Sequence, residues 1–191
     1  MNAMPELPTR SICFKSCSEE DTIELGRRIG RLLEPGDCVY LYGDMGTGKT
    51  RIAKGMINAA TQTPVDEINS PTFVIINRYE GNRVIYHADL YRLENGDFED
   101  IGIEMVDESQ GILIVEWAEK MPGTMRQDAL SIYLSHTNEE NLRIVRLEWQ
   151  TNSVWSAKLP EKLVPTDSYE YPDCEVFQQA HLFEGEAIWR S

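Results

Sequence analysis

An α/β fold follows from three features of the sequence. Short apolar runs alternate with stretches of helical periodicity. A glycine-rich turn, Gly43–Gly48, joins one such run to a helical stretch. A second run, Ile112-Leu113-Ile114-Val115, is apolar throughout and too short for a helix, so it reads as a buried strand.

The first helix begins at Ser18. Ser18-Glu19-Glu20-Asp21 can cap its first turn with acidic groups that suit the positive helix end. Leu25, Ile29 and Leu32 then recur at helical spacing, and Pro35-Gly36 ends the pattern. Cys38–Tyr42 is a buried strand. Beyond the glycine turn, Ile52, Met56, Ala59 and Ala60 share one helical face, closed by Pro64. Phe73–Tyr79 and Arg83–Tyr91 pair as strands around Glu80-Gly81-Asn82. Phe98, Ile101 and Met105 predict a short helix after the break at Asn95-Gly96. The run at 112–115 ends in Glu116-Trp117. Leu130, Ile132 and Leu134 alternate as in a strand. Leu142 and Ile144 fall out of phase with Val145, Leu147 and Trp149, which predicts a bulge or a strand buried on both faces.

The chain has 191 residues, enough for one domain, or one domain with an appendage. The pattern places the domain at 1–150. Residues 151–191 form an extension with no clear helix and with loop signals at Pro160, Pro165 and Pro172. Yet Trp155, Tyr169, Tyr171, Phe177, Phe183 and Trp189 fall here, so this segment should pack on the domain or on a partner.

The net charge of −14 argues against a free-standing nucleic-acid binder and against docking on anionic lipid. No apolar stretch approaches membrane-spanning length, and the N-terminus lacks the apolar core of a secretory signal. Cys13, Cys17, Cys38 and Cys174 form no zinc spacing and read as free thiols. A cytoplasmic protein without a membrane partner is expected.

Gly43-Asp44-Met45-Gly46-Thr47-Gly48-Lys49-Thr50 matches G-x-x-x-x-G-K-[ST], the phosphate-binding loop. About one chain of this length in a hundred would match by chance, and far fewer between a strand and a helix. Glycines let successive N–H groups face phosphate oxygens. Lys49 supplies a point charge, and the Thr50 hydroxyl can ligate magnesium. Glu116, emerging from a buried strand, could be the carboxylate such a site needs, although many strands simply end in a charge. Asp89, in the predicted strand 83–91, could reach the metal through water or orient the attacking water. A surface pair with Arg92 is equally consistent. His87 has no metal-ligand partner at suitable spacing and reads as a hydrogen-bonded sheet histidine. Ser70-Pro71-Thr72 is either a nucleotide-sensing loop or an ordinary strand-entry turn.

These pieces, in this order, resemble the TsaE (YjeE) family, small ATPases of bacterial threonylcarbamoyladenosine synthesis. The matching stretches are LYGDMGTGKT (41–50), SPTF (70–73), YHADLYRL (86–93), the Gly102-Ile103 pair and IVEW (114–117), with SEEDTIELGRRI (18–29) like the family's first helix. The resemblance spans roughly residues 11–150. It implies a three-layer P-loop NTPase fold with a mixed parallel/antiparallel sheet. It implies that Gly43, Asp44, Met45, Gly46, Thr47, Gly48, Lys49 and Thr50 bind the phosphates of ATP. Thr50 and Glu116 would hold Mg2+, with Asp89 near the γ-phosphate. Trp117 would lie close to the nucleotide, Thr72 on a switch loop, and Ser18, Glu19 and Thr22 toward the adenine. Lys49, Asp89 and Glu116 are the implied catalytic residues. The implied partner is the TsaB–TsaD heterodimer, through which alone the chain would meet tRNA. Ala118 stands where many relatives carry Pro after the Glu-Trp pair, a changed turn beside Trp117.

Two other functions fit the same loop. A small-molecule kinase would need an acceptor pocket and usually an arginine-rich lid, and no lid-like segment is seen. A nucleotide-gated binding subunit would use ATP only to switch affinity for a partner. A GTPase is disfavoured because no N-K-x-D signature occurs.

Overall fold

A computed structural model describes residues 8–71, 74–93, 110–121 and 126–159. Seven strands form one sheet in the order β1-β7-β6-β2-β5-β4-β3. They are β1 (Thr9–Ser16), β2 (Cys38–Tyr42), β3 (Ile76–Glu80), β4 (Val84–Asp89), β5 (Gly111–Glu116), β6 (Leu130–His136) and β7 (Arg143–Gln150). Helices α1 (Glu19–Gly30) and α2 (Lys49–Thr61) pack together over one face, and the one-turn α3 (Trp155–Lys158) follows β7. The sheet is mixed, as expected. β4, β5, β2 and β6 run parallel, while β3, β7 and β1 join antiparallel to their neighbours. Parallel strands end along one edge of the sheet, where an open α/β sheet collects its ligand-binding loops.

Burial explains this arrangement. Every residue of β5 is buried, as its unbroken apolar run predicts for a central parallel strand. Its residues divide by alternation. Ile112 and Ile114 join Val39, Leu41, Ile52, Met56 and Ile29 beneath the helices. Leu113 and Val115 join Cys38, Tyr40, Leu90 and Ala118 in a smaller cluster on the opposite face. The same alternation turns His87, Asp89 and Glu116 toward α2, because each is in phase with a residue of the helix-side cluster.

Helix α1 starts where its cap predicts. The Ser18 hydroxyl accepts from the Asp21 amide at 3.0 Å, and the Asp21 carboxylate accepts from the Cys17 amide at 3.0 Å. Helices α1 and α2 cross almost backbone to backbone. A Cβ at Gly55 would stand 2.0 Å from the Ile23 carbonyl oxygen, and one at Gly26 would stand 2.3 Å from that of Ile52.

Several expectations are corrected. β1 carries no clear sequence signal, since only Phe14 and Ser16 of its eight residues are buried. Its pairing with β7 creates it. The strand expected from Phe73 begins only at Ile76, because Val74 and Ile75 turn back onto the Pro71 carbonyl and Ile75 takes a φ of 70°. Its partner spans Val84–Asp89 rather than 83–91. Strand β7 has neither a bulge nor two buried faces. Its pairing with β6 and β1 is unbroken, Val145, Leu147 and Trp149 are buried, and Ile144 lies half-buried on the other side. Past residue 150 the chain does form a helix. The Trp155 ring is fully buried in the helix-side core, and its Nε1–H donates to the Asp128 carbonyl at 3.0 Å. The predicted helix around Phe98, Ile101 and Met105, the Gly102-Ile103 pair, Thr72 and Cys174 lie outside the described residues. Among the described residues, Cys13, Cys17 and Cys38 form no disulfide. Among the described residues no helix is long and apolar enough to cross a membrane.

Candidate functional site

At the C-terminal edge of β2, the chain turns through the glycine loop into α2 and borders a cavity of about 570 Å3. Gly43, Gly46 and Gly48 have φ values of 136°, 78° and 107°, a run of left-handed positions that favours glycine. At Gly43 a side chain is also excluded by space, since its Cβ would meet the Leu134 carbonyl oxygen at 2.2 Å.

Of the loop residues expected to bind phosphate, Met45, Gly46, Thr47, Gly48, Lys49 and Thr50 line the cavity. Gly43 and Asp44 are not among the residues that line it, and their carbonyls hold Lys49 instead. The Lys49 ammonium donates to the Gly43 carbonyl and, at 2.9 Å, to the Asp44 carbonyl. It stands 3.6 Å from the centre of the Trp117 ring, a cation–π contact. Lys49 is only 4% exposed. Burial pulls its pKa below the ordinary lysine value, and the opposing charges of Glu116, Glu119, Asp89 and Asp44 restore part of it.

The carboxylates arrive by strand register. Asp89 and Glu116 are directly paired at the ends of β4 and β5. Glu116, 2% exposed, accepts from the Thr50 hydroxyl at 2.8 Å through Oε2, and its Oε1 lies 2.8 Å from His87 Nε2. Asp89 is 5% exposed, so it is not a surface group. Its Oδ2 accepts from the Ser70 hydroxyl at 2.6 Å and its Oδ1 from the Tyr91 amide at 2.9 Å. Ser70 therefore joins the site directly, beyond the role of a strand-entry turn.

Trp117 borders the cavity with φ at 58°, a rare conformation for a bulky residue. It leads into a single 3-10 turn, Ala118–Lys120, with Ala118 buried. Ser18, Glu19 and Thr22 also line the cavity. Their polar atoms are already engaged: Ser18 caps α1, Glu19 pairs with Arg51 at 3.1 Å, and the Thr22 hydroxyl bonds Ser16 Oγ at 2.6 Å.

Arg51, Tyr91, Asn141 and Arg143 also border the cavity and were not foreseen. Arg143 opens β7, which is antiparallel, so its start lies at the edge where the parallel strands end. Sequence spacing alone does not carry that information. Arg51 directly follows the motif, on the first turn of α2, and was the easier one to anticipate.

The donor set suits a hard divalent cation in part. Thr50 Oγ1 and the Glu116 carboxylate offer oxygen donors held together at the cavity. Among the described residues no cluster of three His, Cys, Asp or Glu side chains could hold a metal alone. That pattern fits Mg2+, which typically keeps waters and takes substrate phosphate oxygens rather than a full protein cage.

Comparison with known proteins bears on the same stretch. The family model for threonylcarbamoyl adenosine biosynthesis protein TsaE matches residues 16–146. A Bacillus subtilis tRNA threonylcarbamoyladenosine biosynthesis protein TsaE is 32% identical over 136 residues, 71% of this chain and 84% of that one. The Treponema pallidum protein of the same name is 36% identical over 131 residues, 68% and 95% of the two chains. Among solved structures, the crystal structure of Bacillus subtilis YdiB superposes with a TM-score of 0.59 at 25% identity, covering 76% of this chain and 89% of that one. The glycine loop, the register-paired acids and strands β2 to β6 all lie within the matched span. The chain belongs to the TsaE family, which serves tRNA threonylcarbamoyladenosine biosynthesis.

Proposed function

We propose that the chain binds ATP at the cavity above β2 and hydrolyses it to ADP and phosphate, as the P-loop ATPase subunit of cytoplasmic tRNA threonylcarbamoyladenosine synthesis. The observation that carries this reading is the hydrogen bond from Thr50 to Glu116 at the mouth of the glycine loop, 2.8 Å long. It joins the hydroxyl of a phosphate-loop motif to an acid at the end of a central strand, the pairing a nucleotide hydrolase uses.

The loop amides and the N-terminal end of α2 would cradle the phosphates. Lys49 would leave the Gly43 and Asp44 carbonyls for the β- and γ-phosphate oxygens, whose charge would offset the burial that now depresses its pKa. Thr50 and Glu116 would hold Mg2+, and the bound ion would neutralise charge on the phosphates. Asp89, fixed by Ser70 and the Tyr91 amide, would orient the water that attacks the γ-phosphorus. The P–O bond to ADP then breaks and phosphate leaves. Arg51 is paired with Glu19, and Arg143 donates to the Glu140 and Leu142 carbonyls. With both so engaged, turnover by the chain alone should be slow until a partner completes the site.

That partner is the TsaB–TsaD heterodimer. A chain of net charge −14 would reach tRNA only through it. Replacing Lys49 with Ala tests the reading. ATP binding and turnover should be lost, and full retention of both would sink the assignment.

One observation favours a second reading, a nucleotide-gated subunit. The Ser70–Asp89 bond ties the 70–71 loop to the site, so an event there could reset a partner surface. Glu116→Gln separates the two. Loss of activity in the partner complex supports hydrolysis as the working step, and retained activity supports gating.

A further inference from the structure

Glu116 is held at both oxygens. Oε2 takes the Thr50 hydroxyl, and Oε1 takes His87, each at 2.8 Å. The three side chains come from α2, β5 and β4, so this bridge exists only in the folded sheet. His87 pairs in register with Ile114, two residues before Glu116 on the same face, which sets the ring diagonally against the carboxylate.

His87 is wholly buried, at 0% exposure. A carboxylate offers lone pairs only, so Nε2–H donates to Glu116. The other ring nitrogen, Nδ1, has no hydrogen-bond partner among the described residues. An apolar side chain would fill the same place without burying an unpaired polar atom. Among the described residues, the polar contact that repays a histidine at this position is the bond to Glu116.

We infer that His87 is a positioning residue for Glu116. It fixes the carboxylate rotation that keeps Oε2 beside Thr50, the pair that would hold Mg2+. The inference rests on the magnesium-dependent nucleotide reading given above. It assigns His87 no contact with nucleotide or metal. Without the Nε2 donor, Glu116 keeps the Thr50 bond at Oε2 but loses the anchor at Oε1, so its carboxylate can turn about the remaining bond. Metal-dependent nucleotide binding should then weaken, while the loop amides still bind the phosphates.

The test is fluorescence titration of the full chain with a fluorescent ADP analogue, with and without MgCl2, for wild type, His87→Phe and His87→Gln. Gln places an amide nitrogen about where Nε2 stands, and Phe fills the volume without a donor. His87→Phe should lose about tenfold in affinity for the analogue with Mg2+, with metal-free affinity within about twofold of wild type. His87→Gln should recover most of the loss. If His87→Phe fails to fold, His87→Asn must show the same selective loss, because its shorter amide cannot reach Glu116. Wild-type magnesium dependence in a folded His87→Phe or His87→Asn variant overturns the inference. So does an equal loss with and without Mg2+ in the variants. A wild-type chain whose affinity for the analogue ignores Mg2+ overturns the underlying magnesium reading as well, and is recognised before any variant is made.

Discussion

Gly55 gives the sharpest structural prediction. Its added Cβ would meet the Ile23 carbonyl oxygen at 2.0 Å and the Arg27 amide nitrogen at 2.9 Å. Relief even to the closest approach a real Cβ shows, 3.0 Å, requires α1 and α2 to separate by about 1 Å. These obstacles are backbone atoms of a helix, so no rotamer change removes them. A gap of that size forfeits roughly a quarter to a half of the dispersion energy of each contact across the crossing, where Ile29, Ile52 and Met56 are fully buried. Overpacking of this kind costs about 1–3 kcal/mol, and a carbonyl obstacle belongs at the upper end. Alanine returns about 1 kcal/mol through helix propensity. The net expectation for Gly55→Ala is a loss of about 2 kcal/mol, roughly a thirtyfold fall in the folding equilibrium constant. Urea denaturation should show a lowered midpoint with an unchanged slope. Nucleotide affinity should fall too, since α1 carries Ser18, Glu19 and Thr22 in the cavity wall. A variant as stable as wild type, or more stable, would refute the backbone-to-backbone crossing.

Other variants probe other parts. Trp155→Ala should cost about 3–5 kcal/mol in denaturant unfolding, because the ring is fully buried; a loss below about 1 kcal/mol would detach residues beyond 150 from the core. Adding ATP should change tryptophan fluorescence by drawing Lys49 off the Trp117 ring, and Trp117→Phe should abolish that change while the other tryptophans remain. Lys49→Met should raise stability at pH 7, where the buried ammonium is charged at a cost. The wild type's folded pKa is depressed, so its penalty is full below that pKa and is relieved as pH rises toward the ordinary value of 10.5. The difference in unfolding free energy between the two proteins should therefore shrink over that range, and a gap constant across it would contradict the burial of charge.

How much of this was legible in the sequence depends on how local each signal is. Strand, glycine loop and helix are consecutive, so residues 38–61 were readable from pattern alone. Glu116 was readable as the end of an apolar run. Its place beside Thr50 came only through the family resemblance and its bond to His87 not at all, since both contacts depend on which elements lie side by side. The expectation that His87 is hydrogen-bonded holds at Nε2, yet its partner proved to be the candidate magnesium ligand. Strand β1 was hidden because an edge strand buries few residues and so shows little periodicity. The late start of β3 turns on a left-handed Ile75, a conformation its side chain disfavours and only the surrounding fold imposes. Arg143 and Asn141 reach the cavity because β7 runs against its neighbours, a fact of topology.

The most direct measurement is phosphate release from ATP by the purified chain, with and without the TsaB–TsaD heterodimer. Slow release alone that rises when the heterodimer is added is the result expected of an ATPase whose site a partner completes. Release indifferent to the heterodimer, or none despite ATP binding, would contradict it.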